Sequence, residues 1–172
     1  FWKRIFDLAF SGFALLITSP IFFCIAIAIK LDSKGPVFYR PVRIGKSGAR
    51  ILIYKFRSMR HTTEPVDKNR STAVDDDRIT SVGKFIRKYS LDELPQFINV
   101  FNGEMSVVGP RPHRVDLDKR FQRIAPGYMV RQYIKPGITG WAQVNGWRGP
   151  TETKYQYIAR TLHDLWYIEH WN

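Results

Sequence analysis

From Leu8 to Ile29 the chain runs 22 residues without a charge, mostly Leu, Ile, Phe and Ala. About 20 such residues suffice for a helix to cross the hydrocarbon core of a bilayer, so the run reads as a membrane segment. It is too long for the apolar stretch of an ordinary cleavable signal and has no small-residue cleavage site before Lys30. Ser19-Pro20 sits near its middle, where proline removes a helix hydrogen bond and clashes with the preceding turn. Lys3 and Arg4 flank the run on one side, and Lys30, Lys34, Arg40, Arg43, Lys46 and Arg50 on the other. Positive charge marks the cytoplasmic side of a membrane, so a simple span sets one flank against the rule, while a segment that enters and leaves by one face satisfies both. The expectation is a re-entrant helix-break-helix anchor over residues 1–34. The alternative is a Pro-kinked span, because membrane helices tolerate proline.

Charge narrows the partners. Lys and Arg number 27 against 15 acids, a net +12, which selects anionic partners: nucleic acid, lipid headgroups or phosphorylated small molecules. The single cysteine, Cys24, lies inside the apolar run, which excludes a disulfide framework and paired thiols for zinc. The chain opens on Phe1 and stops at Trp171-Asn172 in an aromatic-rich stretch, and reads as one functional unit of a longer protein, truncated at both ends.

After Lys30 the pattern turns soluble. Val37-Phe38-Tyr39 and Ile51-Leu52-Ile53-Tyr54, with a turn at 45–48 between them, predict a hairpin of two short strands. The polar segment His61 to Asp77 carries Pro65 and no periodicity, and predicts a surface loop. Val82, Phe85 and Ile86 put a helix over Ser81–Tyr89; another is expected over Pro95–Phe101, closed by Asn102-Gly103. Helices are further expected over Val115–Ile124 and Thr153–Glu169.

Ser90-Leu91-Asp92-Glu93 has two readings. As a capping box, Ser90 caps a helix and Glu93 reaches back, with Asp92 favourable at the positive end of the helix dipole. A helix capped at Ser90 would, however, put Pro95 at its fifth position, where an N–H is needed. As a chemical pair beside Arg87 and Lys88, the two carboxylates supply a nucleophile and a metal or acid/base partner for phosphoryl chemistry. Val108-Gly109-Pro110-Arg111-Pro112-His113 holds one guanidinium between two prolines, suited to gripping a phosphate, or is a structural turn with a solvated arginine. His113 reads as a surface residue in preference to a switchable base. The stretch Pro136 to Gly149 mixes glycines with Trp141, Trp147 and Arg148, either a close-approach ligand loop or turns between short strands. Lys55 and Arg57, just past a strand, are phosphate contacts or a solvated edge.

Lys3-Arg4-Ile5-Phe6-Asp7, Ser19-Pro20, Tyr54-Lys55-Phe56-Arg57-Ser58-Met59, Ser90 to Gln96, Gly109-Pro110-Arg111-Pro112 and Pro136 to Gly140 occur in register. In that order they resemble the bacterial sugar transferase family, the monotopic polyprenyl-phosphate phosphoglycosyl transferases, over nearly the whole chain. Val144 to Gly149 with Thr151 and Thr153 is similar to the subgroup that loads glucose 1-phosphate for exopolysaccharides.

The resemblance implies an irregular α/β fold, with residues 1–34 as the membrane anchor and 35–172 as a cytosolic catalytic domain of short interfacial helices around a small sheet. It implies transfer of a sugar 1-phosphate, glucose or galactose 1-phosphate, from a UDP-sugar to undecaprenyl phosphate at the cytoplasmic face of a bacterial inner membrane. Asp92 would be the nucleophile, releasing UMP, and Glu93 its assistant. Asp92 and Glu93 would hold Mg²⁺. Arg87, Pro110, Arg111, Pro112 and Arg148, with Lys55 and Arg57, would bind the donor phosphates. Membrane lipids are expected partners, nucleic acid is not, and a homo-oligomer is left open. The rival reading is a basic membrane-tethered binding or scaffold module for anionic lipid or nucleic acid, which leaves the Asp92-Glu93 pair without a purpose.

Overall fold

The computed structural model describes residues 1–60, 76–149, 151 and 153–171 of the chain. Helix α1 covers Trp2–Asp32, 31 residues, or about 46 Å at a rise of ~1.5 Å per residue. It is long and apolar enough to cross or enter a membrane. Helical backbone continues through Ser19-Pro20, so the expected helix-break-helix is one helix. Local hydrogen bonding explains the continuity. The Pro20 nitrogen cannot serve the Leu16 carbonyl, and the Ser19 hydroxyl donates to it instead at 2.8 Å.

Both ends of α1 are tied to the rest of the chain, and its middle is not. At the first end, Lys3 Nζ donates to the Val108 carbonyl at 2.9 Å, and the Arg4 guanidinium donates to the Val100 and Phe101 carbonyls at 2.7 and 2.8 Å. Asp7, fully buried, accepts from the Val107 N–H and the Ser106 hydroxyl. At the other end, Phe22, Ile25 and Ile29 pack with Phe56, Ile86 and Leu91 in one apolar cluster. Between the two ends Phe13, Leu16 and Ile17 are exposed.

A bent antiparallel ribbon follows. Strand β1 (Phe38–Tyr39) pairs with β4 (Lys55–Phe56), and β2 (Val42–Ile44) with β3 (Arg50–Leu52). The hairpin was expected to join Val37–Tyr39 directly to Ile51–Tyr54, but the register brings Phe38 opposite Phe56 and Val42 opposite Leu52. Pro41 divides the ribbon: it has no N–H for the ladder, although its carbonyl still accepts from Ile53 N–H at 3.2 Å. Most of the loop expected over His61–Asp77 lies outside the described residues.

Helices α2 (Ser81–Lys88) and α3 (Gln96–Asn102) occupy the predicted segments, with Thr80 capping α2 and Gly103 ending α3 at a φ of 86°. Strand β5 (Ser106–Val108) runs parallel to β6 (Gly137–Thr139), a pairing the short sequence signals did not announce. Gly109, Gly137 and Gly140 let the two segments touch: a Cβ on Gly109 would lie 2.7 Å from the Lys135 carbonyl oxygen. Helix α4 (Val115–Ile124), the short α5 (Trp141–Val144) and α6 (Lys154–His170) complete the chain. The Thr153 capping box starts α6. Phe121, Tyr128 and Tyr157 form the core between α4 and α6.

Candidate active site

The Asp92-Glu93 pair sits in a 3-10 turn, Leu91–Glu93, between α2 and α3. Ser90 enters this turn at φ 58°, a left-handed conformation uncommon for a residue with a side chain. Its hydroxyl caps no helix; it accepts from Arg148 Nη2 at 2.6 Å. The capping-box reading is therefore overturned. Pro95 falls at the N-cap of α3, where its missing N–H costs nothing.

Glu93 is held from both sides. Lys55 Nζ, delivered by β4, donates to Oε1 at 2.8 Å. Arg111, delivered by the end of β5, forms a two-pronged pair with the same carboxylate. Burial alone would push the Glu93 carboxyl up, but the hydrogen bonds and charge of Arg111, then those of Lys55, overcome it and hold it down to about 2. Asp92 differs. It forms no ion pair with any described residue, and burial, with Glu93 adding to it, pushes its carboxyl above the usual range against the pull of Lys55 and Arg87. Two neighbouring acids thus receive opposite environments, one neutralised and fixed, the other under-compensated.

Arg111 itself is fixed by the backbone on either side. Pro110 accepts at its carbonyl from Gly137 N–H at 2.9 Å, and the Arg111 carbonyl accepts from Arg131 Nη2 at 2.8 Å. Arg131 is anchored to Asp164 of α6 by a buried pair at 2.7 Å.

Beside the dyad opens a cavity of about 770 Å³, walled by Arg43, Arg111, Arg114, Arg120, Arg148 and Arg160 with Lys55, and by one acid, Asp116. Pro112, His113, Gln96 and Tyr157 also line it. Such a field concentrates a polyanion of small size. A second groove, about 310 Å³, shares Arg148 with the cavity and is lined by Glu93, Leu94, Phe97, Ile138 and Val144. Phe97 lies against Phe10 of α1, ring centroids 5.9 Å apart, so this groove opens beside the apolar helix.

Of the residues singled out in the sequence, Lys55, Asp92, Glu93, Pro110, Arg111, Pro112 and Arg148 converge, and Arg87 in the last turn of α2 acts on Asp92 through its charge. Arg57 does not join them. It is buried and donates to the carbonyls of Ile29, Ser33 and Lys34, so it closes the end of α1. The solvent-facing reading of His113 is also overturned: its ring is buried, stacked 4.4 Å from Phe121, and the burial together with Arg131, Arg160, Arg111 and Arg43 keeps it neutral. Arg43, Arg120 and Arg160 were not among the expected site residues, because they lie on three different elements, β2, α4 and α6. Only the fold sums them.

For a divalent metal, the donor set is narrow. Among the described residues no three His, Cys, Asp or Glu side chains cluster. Mg²⁺ commonly takes one or two carboxylates and completes its shell with substrate phosphates and water, so Asp92 fits as a protein ligand. Both oxygens of Glu93 already carry cationic partners, against the expectation that it ligates the metal too.

Known proteins match the sequence of this chain along almost its entire length. The chain is 48% identical over 170 residues to a UDP-glucose:undecaprenyl-phosphate glucose-1-phosphate transferase of Escherichia coli K12, covering 99% of this chain and 36% of the relative. It is 50% identical over 171 residues to a Klebsiella pneumoniae protein of the same name, covering 99% and 37%. It is 41% identical over 174 residues to a UDP-N-acetylgalactosamine-undecaprenyl-phosphate N-acetylgalactosaminephosphotransferase of Aeromonas hydrophila, covering 100% and 40%. The chain thus spans little more than a third of the length of these relatives. The bacterial sugar transferase family matches residues 1–172, and with the dyad, its cationic clamp and the apolar helix in place, the chain belongs to the bacterial sugar transferases.

Proposed function

We propose that this chain is the catalytic unit of a phosphoglycosyl transferase that moves a sugar 1-phosphate from a UDP-sugar to undecaprenyl phosphate through a covalent aspartyl intermediate. The observation that carries it is the Asp92 carboxylate, without an ion pair among the described residues, beside a neutralised Glu93 whose partners Lys55 and Arg111 line a cavity walled by seven cations. The Asp92 oxygen attacks the β-phosphorus of the donor, the bond from that phosphorus to the oxygen of the α-phosphate breaks, and UMP leaves with the electron pair. An oxygen of the lipid phosphate then attacks the same phosphorus and displaces Asp92, which regains its carboxylate and leaves a lipid-linked diphosphosugar. Arg111, Arg148 and Lys55 offset the charge that builds on the transferring oxygens. Mg²⁺ held by Asp92 and the donor phosphates would, when bound, neutralise the diphosphate. The groove beside α1 suits the apolar acceptor, since it reaches Glu93 and Arg148 from the side of the membrane helix.

In this reading residues 1–34 are the anchor and 35–172 the cytosolic catalytic domain, on the cytoplasmic face of a bacterial inner membrane. The placement of both ends of α1 on one side of the membrane is supported by their attachment to one body: Lys3 and Arg4 hold β5 and α3, while Arg57 holds residues 29–34. A helix with its ends on opposite sides of a bilayer core ~30 Å thick cannot keep both attachments. Cysteines at Lys3 and Lys34, with Cys24→Ser, should react with an impermeant thiol reagent from the same side of sealed vesicles; labelling from opposite sides defeats this topology.

The chemistry is tested without the acceptor. Protein incubated with UDP-glucose or UDP-N-acetylgalactosamine and Mg²⁺ should release about one equivalent of UMP and gain the mass of a phosphosugar at Asp92, read by mass spectrometry. Turnover that requires lipid for the first UMP, with no adduct, contradicts the two-step route.

A further inference from the structure

The cations around the dyad are not equivalent. Lys55 and Arg111 are already paired with Glu93. Arg148 forms no ion pair with any described residue. Its guanidinium donates through Nη2 to a neutral hydroxyl, that of Ser90, at 2.6 Å. A guanidinium carries its N–H donors in a rigid planar fork, so the bond to Ser90 orients it while leaving its charge and most of its donors for another partner. Arg148 lines both the arginine cavity and the groove beside α1, and no other described residue lines both.

The chain around Arg148 fixes its backbone and leaves its head to Ser90. Trp147 N–H donates to the Ala142 carbonyl at 2.9 Å, and the Gly149 carbonyl accepts from Arg160 Nη2 at 2.6 Å. Arg148 itself is exposed, and a long exposed side chain samples many rotamers unless something holds its end. Ser90, two residues before Asp92, supplies that hold. Its φ of 58° is a conformation that glycine takes without steric cost and that asparagine takes more readily than most residues. Glycine at position 90 would satisfy the turn, so what serine adds there is the hydroxyl.

We propose that Ser90 is a positioning residue for the transfer: its hydroxyl holds the uncompensated guanidinium of Arg148 at the junction of cavity and groove. There Arg148 meets the transferring phosphate first as part of the donor and again when the acceptor attacks. The proposal rests on the transferase reading above, and Ser90 acts through Arg148 alone. A neutral acceptor suits this task, since a carboxylate in its place would pair with Arg148 and compete with the phosphate.

Ser90→Gly deletes the hydroxyl and suits the left-handed turn, so the unfolding temperature should not fall. Full-chain Ser90→Gly in lipid nanodiscs, at saturating UDP-glucose, should react about ten- to a hundredfold more slowly, the range for a hydrogen bond to a charged group. The loss should appear both in the first release of UMP without acceptor and in steady turnover with undecaprenyl phosphate. Ser90→Asn keeps an acceptor and tolerates the turn, and should recover much of both rates. In an Arg148→Ala background Ser90→Gly should cost nothing further, because the hydroxyl then has nothing to hold. Equal losses with and without Arg148, a loss confined to one of the two reactions, or an unchanged rate in Ser90→Gly overturns the proposal and leaves the transferase reading intact. So does a loss that follows a fall in unfolding temperature and is not recovered by Ser90→Asn. A parent protein that releases no UMP overturns the transferase reading itself.

Discussion

Asp92→Asn should remove turnover by at least about 10⁴-fold, the scale of losing a covalent nucleophile, while leaving the protein as stable as the parent or slightly more so. The two halves of this expectation share one cause. The Asp92 carboxylate is partly buried and has no ion-pair partner among the described residues, and burial already works against its charged form. A neutral amide of the same shape lifts that penalty and removes the attacking electron pair. Glu93→Gln should behave in the opposite way. It leaves Lys55 and Arg111 facing each other without the anion between them, so stability falls, and activity declines because the phosphate-binding cations lose their fixed positions. Parallel measurement of UMP release and unfolding temperature tests the contrast. An Asp92→Asn protein that still turns over, or that unfolds several degrees lower while Glu93→Gln does not, assigns the two acids the wrong way round.

Asp164→Ala should cost about 3–5 kcal/mol of folding free energy, the range for breaking a buried ion pair and leaving one charge behind. Arg131 and Asp164 have side chains 6% and 2% exposed, so no solvent reaches the abandoned guanidinium. The loss should reach the site as well, because Arg131 also donates to the Arg111 carbonyl and thereby sets the arginine that clamps Glu93. Replacing both partners by apolar residues of similar volume should recover a large part of the stability, and less of the activity, since the support of Arg111 is then gone. Chemical unfolding in a constant detergent or nanodisc background reads the first quantity. A cost under about 0.5 kcal/mol for Asp164→Ala would mean that the pair is solvated in the working protein.

Spacing along the chain was enough for everything that local physics determines. The uncharged run of α1, the periodic apolar residues of α2, the proline-to-glycine limits of α3, and the Thr153 start of α6 depend on neighbours within a turn or two, and all appear at their predicted positions. Position 20 shows the limit of that reasoning. A proline forbids one hydrogen bond, but whether the helix breaks depends on a substitute donor, and the adjacent Ser19 hydroxyl provides one. Lys55 and Arg57 show it more sharply: two cations two residues apart at the end of one strand, one clamping Glu93 and the other closing α1. His113 was read as solvent-facing, and one of two readings of Ser90 was a helix cap, because solvation and capping are the common fates of such residues, yet Ser90 turns left-handed toward Arg148 and His113 is buried in an aromatic stack. The cationic cavity lay beyond any local window, since its residues come from β2, β4, α4, α6 and the turns between them. Helix and turn formation is decided by the few residues in contact along the chain. The partner of a charge, and the side of a wall on which a polar atom ends, are decided by which distant segments pack together, and only the tertiary structure contains that choice.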